Sequence, residues 1–223
     1  MSGHRSCSAR RCDAFTLVEL LKVIAIIGGL ATLLLPIAGC GHAPSRVSAP
    51  SWDPPELAEK IVTELDKNGD AAVDAEELQA APGLASGARF IDGDKDSRLT
   101  ATELEARFER YSSSRLGLRS PSFRLSYKGR PVANAEVQFI PESFLDGIVE
   151  PARGVTDDQG VVVPQIEGQD VPGMRIGYYR VQVTSTKLGI PQKYQDSSTP
   201  LGADVSLAED ASSYGVIELK LAD

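Results

Sequence analysis

The sequence predicts an α+β multidomain protein, in which a small α-helical pair built around two acidic loops is followed by an all-β sandwich of about seven strands. Three observations carry that prediction. Residues 66–77 and 92–103 repeat one pattern of oxygen-bearing side chains. Apolar residues recur at helical spacing on either side of those loops. Beyond Ser122 the period changes to two, with turn residues between the runs. The order gives a leader over residues 1–40, a tether over 41–53, the helical pair over 54–114 and the sandwich over 120–223.

The leader carries Arg5, Arg10, Arg11 and Lys22 ahead of a largely apolar run from Val23 to Gly39, and His42, Ser45 and Arg46 follow it. That order of charge, apolar run and polar tail marks an export signal rather than part of a fold. Ile37, Ala38, Gly39, Cys40 and Gly41 resemble the lipobox of bacterial lipoproteins, which implies that Cys40 is lipidated and becomes the new N-terminus. Two or more acyl chains give stable anchoring. Phe15, Thr16, Leu17, Val18 and Glu19, with Leu20 and Leu21 after them, are similar to the N-methylation motif of type IV prepilins. That resemblance implies cleavage before Phe15 and a retained helix of about 25 residues, enough to span a bilayer at about 1.5 Å per residue. Ala14 stands where that family normally has glycine, and Lys22 interrupts the apolar stretch. Both routes place the folded part outside the cytoplasm, on a membrane anchor in a bacterial cell envelope.

Pro44, Pro50, Ser45, Ser48 and Ser51 make residues 41–53 a tether without apolar period. Pro54 and Pro55 suit the first turn of a helix whose apolar face is Leu57, Ile61, Val62 and Leu65. The helix carrying Leu78 is expected to stop at Pro82 and Gly83. A second short helix runs from about Leu84 to Ile91, weakened by Gly87. Leu104 and Phe108 share a face of the outgoing helix, which is expected to fray at residues 112–114.

Inside the loops, Asp66, Asn68, Asp70, Asp74 and Glu77, and then Asp92, Asp94, Asp96, Thr100 and Glu103, fall at positions 1, 3, 5, 9 and 12. Ca²⁺ is a hard cation that takes roughly six to eight oxygens at about 2.4 Å. A short loop must therefore offer alternate side chains, one carbonyl (Ala72 and Arg98 at position 7) and a carboxylate that can bind through both oxygens. The pattern resembles the EF-hand. That resemblance implies Ca²⁺ as the cofactor, and pairing of Val73 with Leu99, at position 8, across a two-stranded bridge. Ala71 and Ser97 replace the usual glycine at position 6, where φ is positive, at a cost of about 1 kcal/mol each and with weakened affinity. Met1 and Met174 are the only methionines, so a flexible methionine-rich sensor groove is not on offer. A static module with dissociation constants of roughly 10⁻⁴ to 10⁻³ M is expected, as in extracellular calcium modules.

The formal charge is −8 over 223 residues. Residues 1–40 hold four of the basic and two of the acidic residues, so residues 41–223 carry 19 bases against 29 acids. Such a chain repels nucleic acid and attracts cations. Cys7, Cys12, Cys40, His4 and His42 all lie at or near the leader, leaving the body without disulfides, imidazole-based zinc sites or histidine triads. An enzyme is not expected.

In the C-terminal half, Phe123, Leu125 and Tyr127 alternate before a turn at Gly129, Arg130 and Pro131; Val137 and Phe139 form the next strand. Asp157, Asp158, Gln159 and Gly160 make a tight turn before a strand from Val161 to Ile166. Tyr179, Val181 and Val183 mark another, and Val205, Leu207, Ile217, Leu219 and Leu221 mark the last two. The run Gly129-Arg130-Pro131-Val132, the Thr156-Asp157-Asp158-Gln159-Gly160 hairpin and the Gly177-Tyr178-Tyr179-Arg180-Val181-Gln182-Val183 strand are similar to the carboxypeptidase regulatory-like, transthyretin-related domain. That resemblance implies an Ig/transthyretin-like sandwich without catalytic residues. In the polar connection over residues 191–199, Tyr194 is expected to pack onto the sandwich and Asp196 to cap a turn. The expected protein is a calcium-binding, membrane-anchored, non-enzymatic lipoprotein. Its sandwich serves adhesion or assembly, with a protein or cell-surface polysaccharide as partner. A prepilin-like component of a secretion or pilus apparatus is the alternative.

Overall fold

Two prolines start the first helix of the computed structural model, which describes residues 47–186, 189–207 and 215–223. Helix α1 (Pro54–Leu65) has Asp53 as its N-cap, accepting a hydrogen bond from the Glu56 N–H at 3.3 Å. It buries Leu57, Ala58, Ile61 and Leu65. A short strand β1 (Ala72–Val73) and a 3₁₀ turn (Glu77–Ala80) lead to α2 (Pro82–Gly87) and a second 3₁₀ turn (Ala88–Phe90). Strand β2 (Leu99–Thr100) then opens α3 (Ala101–Ser114), whose C-cap Arg115 is left-handed at φ 50°. Pro82 begins a helix as well as ending the turn before it, because a missing N–H costs nothing in a first helical turn.

The rest of the described chain is a mixed β region. Strands β3 (Phe123–Tyr127), β4 (Arg130–Pro131), β7 (Val161–Val162) and β11 (Ile217–Leu221) form one sheet, in which β11 runs parallel to β3. Strands β5 (Glu136–Pro141), β6 (Ala152–Val155), β8 (Gln165–Ile166), β9 (Gly177–Thr184) and β10 (Gly202–Val205) form the other, in the order β10-β9-β5-β6-β8. With the β1–β2 ribbon, the described residues hold three sheets and few helices. Lys128 and Gly129, both at positive φ, make the two-residue turn between β3 and β4, so Arg130 and Pro131 are paired rather than part of the turn. The run from Val161 to Ile166 is two strands rather than one: β7 pairs with β3, and beyond Pro164 β8 pairs with β6 in the other sheet. Phe123 of one sheet lies 4.6 Å, ring centroid to centroid, from Phe139 of the other. Val137, Phe139, Val181, Val183, Leu125 and Leu219 are buried around that contact.

Residues Arg46–Asp223 make one compact unit, in which the helices rest on the five-stranded sheet. A Cβ on Gly83 would come within 2.5 Å of the Tyr179 nitrogen, and one on Gly202 would overlap the Pro82 carbonyl, so glycine at both positions lets α2 lie directly against β9 and β10. Glu142, fully buried, accepts from the Gly83 N–H at 2.7 Å and from Arg180 Nε at 2.8 Å. Burial pushes its carboxyl above the usual range, and those two donors oppose the push. On α3, Phe108 and Tyr111 each lie 6.2 Å from the Tyr178 ring, and Trp52 stacks on Phe108 at 5.8 Å. Arg107 donates to the Tyr178 hydroxyl at 3.2 Å and lies 3.7 Å from Asp204. Val47 passes over Gly117, and Arg175 donates to the carbonyls of Ser48 and Gly117, both at 2.6 Å, while holding Glu150 through two nitrogens.

Candidate metal centre

Each acidic loop begins where a helix ends. The N–H of Asp66 closes the last turn of α1 on the Val62 carbonyl, and the N–H of Asp92 bonds to the Ala88 carbonyl. From there the two loops repeat one hydrogen-bond scheme. The position-1 carboxylates turn back onto amides of positions 5 and 6: Asp66 accepts from Asp70 at 3.3 Å and Ala71 at 2.9 Å, and Asp92 accepts from Asp96 at 3.2 Å and Ser97 at 3.0 Å. At position 3, Asn68 and Asp94 accept from the amide of position 5, at 2.9 and 3.2 Å. At position 5, Asp70 and Asp96 accept from the amide of position 7, at 3.1 and 2.8 Å.

The glutamates at position 12 close each loop. Glu77 accepts from the Lys67 N–H at 2.6 Å and, through its other oxygen, from Asp74 at 3.0 Å; Glu103 accepts from Gly93 at 2.8 Å and from the Thr100 N–H at 3.0 Å. Thr100 and Glu103 also form the capping box that starts α3. Asp74 plays the same part at the 3₁₀ turn, accepting from Glu76 and Glu77 at 2.8 and 3.0 Å. Position 6 is left-handed in both loops, with φ of 66° at Ala71 and 67° at Ser97. Those values are where a side chain is strained and glycine is not.

The ribbon sets the loops side by side. Ala72 pairs with Thr100 and Val73 with Leu99, antiparallel, and Val73 and Leu99 are buried beneath. Both position-7 residues thus lie at the ribbon, Ala72 within β1 and Arg98 one residue before β2. The ligand side stays open to water, with Asn68, Asp70, Asp94 and Asp96 exposed. One carboxylate oxygen from each of Asp92, Asp94 and Asp96 lies within 4.8 Å of the others. Oxygens on opposite sides of one cation at about 2.4 Å are separated by about that much. Loop one has Asn68 in the middle place, so its oxygens come from Asp66, Asn68, Asp70, Asp74 and Glu77, with a recess of about 370 Å³ beside Asp74 and Glu77.

Two of these acids are held below the usual carboxylate range. For Glu103 partial burial pushes upward, but the Thr100 and Gly93 donors outweigh it and hold the carboxyl below the usual range. For Asp70 a slight loss of solvation is outweighed by the Ala72 amide, Asn68 and Arg98. The side chain of Arg98 is a participant that the ligand spacing does not announce: its Nη2 lies 2.5 Å from Asp70 Oδ2, across the ribbon in the other loop. The signal available was register, since pairing of position 8 with position 8 sets a charged residue at position 7 beside the neighbouring loop.

Elsewhere, Tyr194 is buried and its hydroxyl accepts from the Ala222 N–H at 2.9 Å, while Asp196 accepts from Ser198 in its own turn. Asp157 accepts from Gln159 and Val161 and so serves its hairpin. Cys40, the lipobox and the prepilin-like motif lie outside the described residues. Among the described residues no helix is long and apolar enough to cross a membrane. No protein-family model, curated protein or solved structure matches the chain.

Proposed function

We propose that the protein is a calcium-binding, membrane-anchored lipoprotein of the cell envelope, without enzymatic activity, in which an EF-hand pair is fused to an Ig/transthyretin-like sandwich used for adhesion or assembly. The observation that carries this reading is the equivalence of the two loops: positions 1, 3, 5 and 12 accept from corresponding amides in both, back to back across one ribbon. Two accidental acidic loops have no reason to share that scheme. The sandwich reading is supported by the Phe123–Phe139 contact between the sheets and by the crossing at Pro164, a corner of the kind that joins packed sheets. The module is static, because the apolar side of α3 is already occupied by the chain's own Tyr178 ring.

Calorimetric titration of the detergent-solubilised full chain with CaCl₂ tests the reading, using wild type, Glu77→Gln, Glu103→Gln and the double variant. Saturable heat that falls in each single variant and vanishes in the double one is expected. No heat at millimolar calcium in the wild type overturns it. Intact mass of the protein from its native membrane distinguishes the anchors, with an acylated Cys40 at the N-terminus for the lipoprotein and a methylated Phe15 for the prepilin-like alternative.

A further inference from the structure

We propose that Arg98 ranks the two calcium sites, its guanidinium acting as a resident counter-cation in loop one while its backbone belongs to loop two, so that loop two fills first. The inference rests on the calcium reading above and specifies how the pair is regulated.

By formal charge alone the loops are equal. Loop one offers the carboxylates of Asp66, Asp70, Asp74 and Glu77, and loop two those of Asp92, Asp94, Asp96 and Glu103. Nearby cations break the tie. Lys67 Nζ donates to the Glu64 carbonyl at 2.8 Å, which engages it on α1, and the Lys95 side chain is exposed. Among the described residues, Arg98 makes an ion pair with Asp70, a carboxylate of the opposite loop. Its N–H meanwhile donates to Asp96 at 2.8 Å, within its own loop. The position-8 pairing holds this arrangement in register. Counting the guanidinium, loop one carries a net of three negative charges against four in loop two.

A divalent ion bound through Asp70 sits a few ångströms from that guanidinium. At about 5 Å in a water-like dielectric, the repulsion between charges of +2 and +1 weakens binding on the order of tenfold. The Asp70 and Arg98 side chains are 41% and 39% exposed, so salt screens the effect strongly, over a Debye length of about 8 Å at 0.15 M. Loop one is therefore the weaker site at low ionic strength, and its disadvantage shrinks as salt rises.

The experiment is CaCl₂ calorimetry on the full chain in detergent, at about 0.01 M and 0.15 M salt, with each loop isolated by silencing the other. In the Glu103→Gln background only loop one is read, and in the Glu77→Gln background only loop two. The expected result is that Arg98→Gln tightens loop one severalfold at low salt and less at 0.15 M, by more than any change in loop two, while Arg98→Lys stays close to the parent. Unchanged or weaker loop-one binding in Arg98→Gln would overturn the ranking, because Arg98 would then merely orient Asp70. A salt-independent gain would also overturn it, as a sign of altered packing rather than removed charge. Absence of calcium heat in the wild type defeats the calcium reading itself, which is a different result from binding that ignores Arg98.

Discussion

The helical segment meets the rest of the world through two faces that handle charge in opposite ways. On the loop face, eight carboxylates stand close together, half-exposed or exposed apart from Glu77, and are satisfied by amides a few residues away. On the seam with the five-stranded sheet, Glu142 is fully buried and depends on Gly83 and Arg180, its partners from distant parts of the chain. The loop face leaves its negative charge largely exposed, with Arg98 paired to Asp70 across the ribbon. The seam has cancelled its charges and filled the remaining space with rings. An acid surrounded by its own backbone can wait for a cation, whereas an acid under a sheet has to be matched when the chain folds.

If the seam is the structural face, damage there should dominate. Gly202→Val and Gly83→Val press a side chain into the Pro82 and Tyr179 backbones, and each is expected to cost more than about 4 kcal/mol or to prevent folding, as read by urea denaturation. Phe108→Ala removes a fully buried ring between Trp52 and Tyr178 and should cost about 3–5 kcal/mol in the same assay. Alkaline pH probes the seam without mutation. Burial, with Asp204 adding to it, pushes the Tyr178 hydroxyl up to about 12 from an ordinary 10. The unfolded chain therefore loses this proton first. The stabilisation is complete below pH 10 and is lost as pH rises toward 12, by roughly 2–3 kcal/mol. Tyr178→Phe should reduce that dependence in pH-resolved denaturation, the buried Tyr111 and Tyr179 hydroxyls, also pushed up by burial, carrying what remains, and a wild type with no loss above pH 10 would place these hydroxyls in contact with water.

The loop face should show gentler and conditional effects. Calcium at ten times a site's dissociation constant should add about 1.4 kcal/mol per site to wild-type stability, and nothing in the Glu77→Gln, Glu103→Gln double variant. Ala71→Gly and Ser97→Gly relieve the left-handed strain and should each stabilise by about 1 kcal/mol without calcium, measured by denaturant midpoint. A loss at either position would mean that the left-handed geometry is not what the apo loop adopts in solution.

How much of this could be read in advance depended on range. The loops were legible residue by residue because a twelve-residue turn is governed by its own side chains: Asp66, Asp92, Glu77 and Glu103 find their donors within ten positions. The period of two located the long strands, with Phe123, Leu125, Val181 and Val183 all buried. Among the described residues the two large sheets nevertheless have nine strands where about seven were expected, because strands of two residues carry no period, and Val163 with Pro164 conceals the move from one sheet to the other. The seam was not legible. Gly83 and Gly202 look like helix breaker and turn residue, and only the approach of α2 to β9 and β10, both far away in the sequence, explains why neither position has room for a Cβ.

The hold of Arg175 on residues 47–48 has a mechanical consequence. Tension drawn along the backbone from the N-terminal side reaches the body at Val47 and Ser48, where the guanidinium grips the Ser48 and Gly117 carbonyls together and is itself braced by Glu150. Beyond it, Trp52 is wedged against Phe108 and Tyr111. Load is thereby shared between a polar clamp and an aromatic wedge before it can reach α1, and the acidic loops beyond that helix are shielded from the first strain.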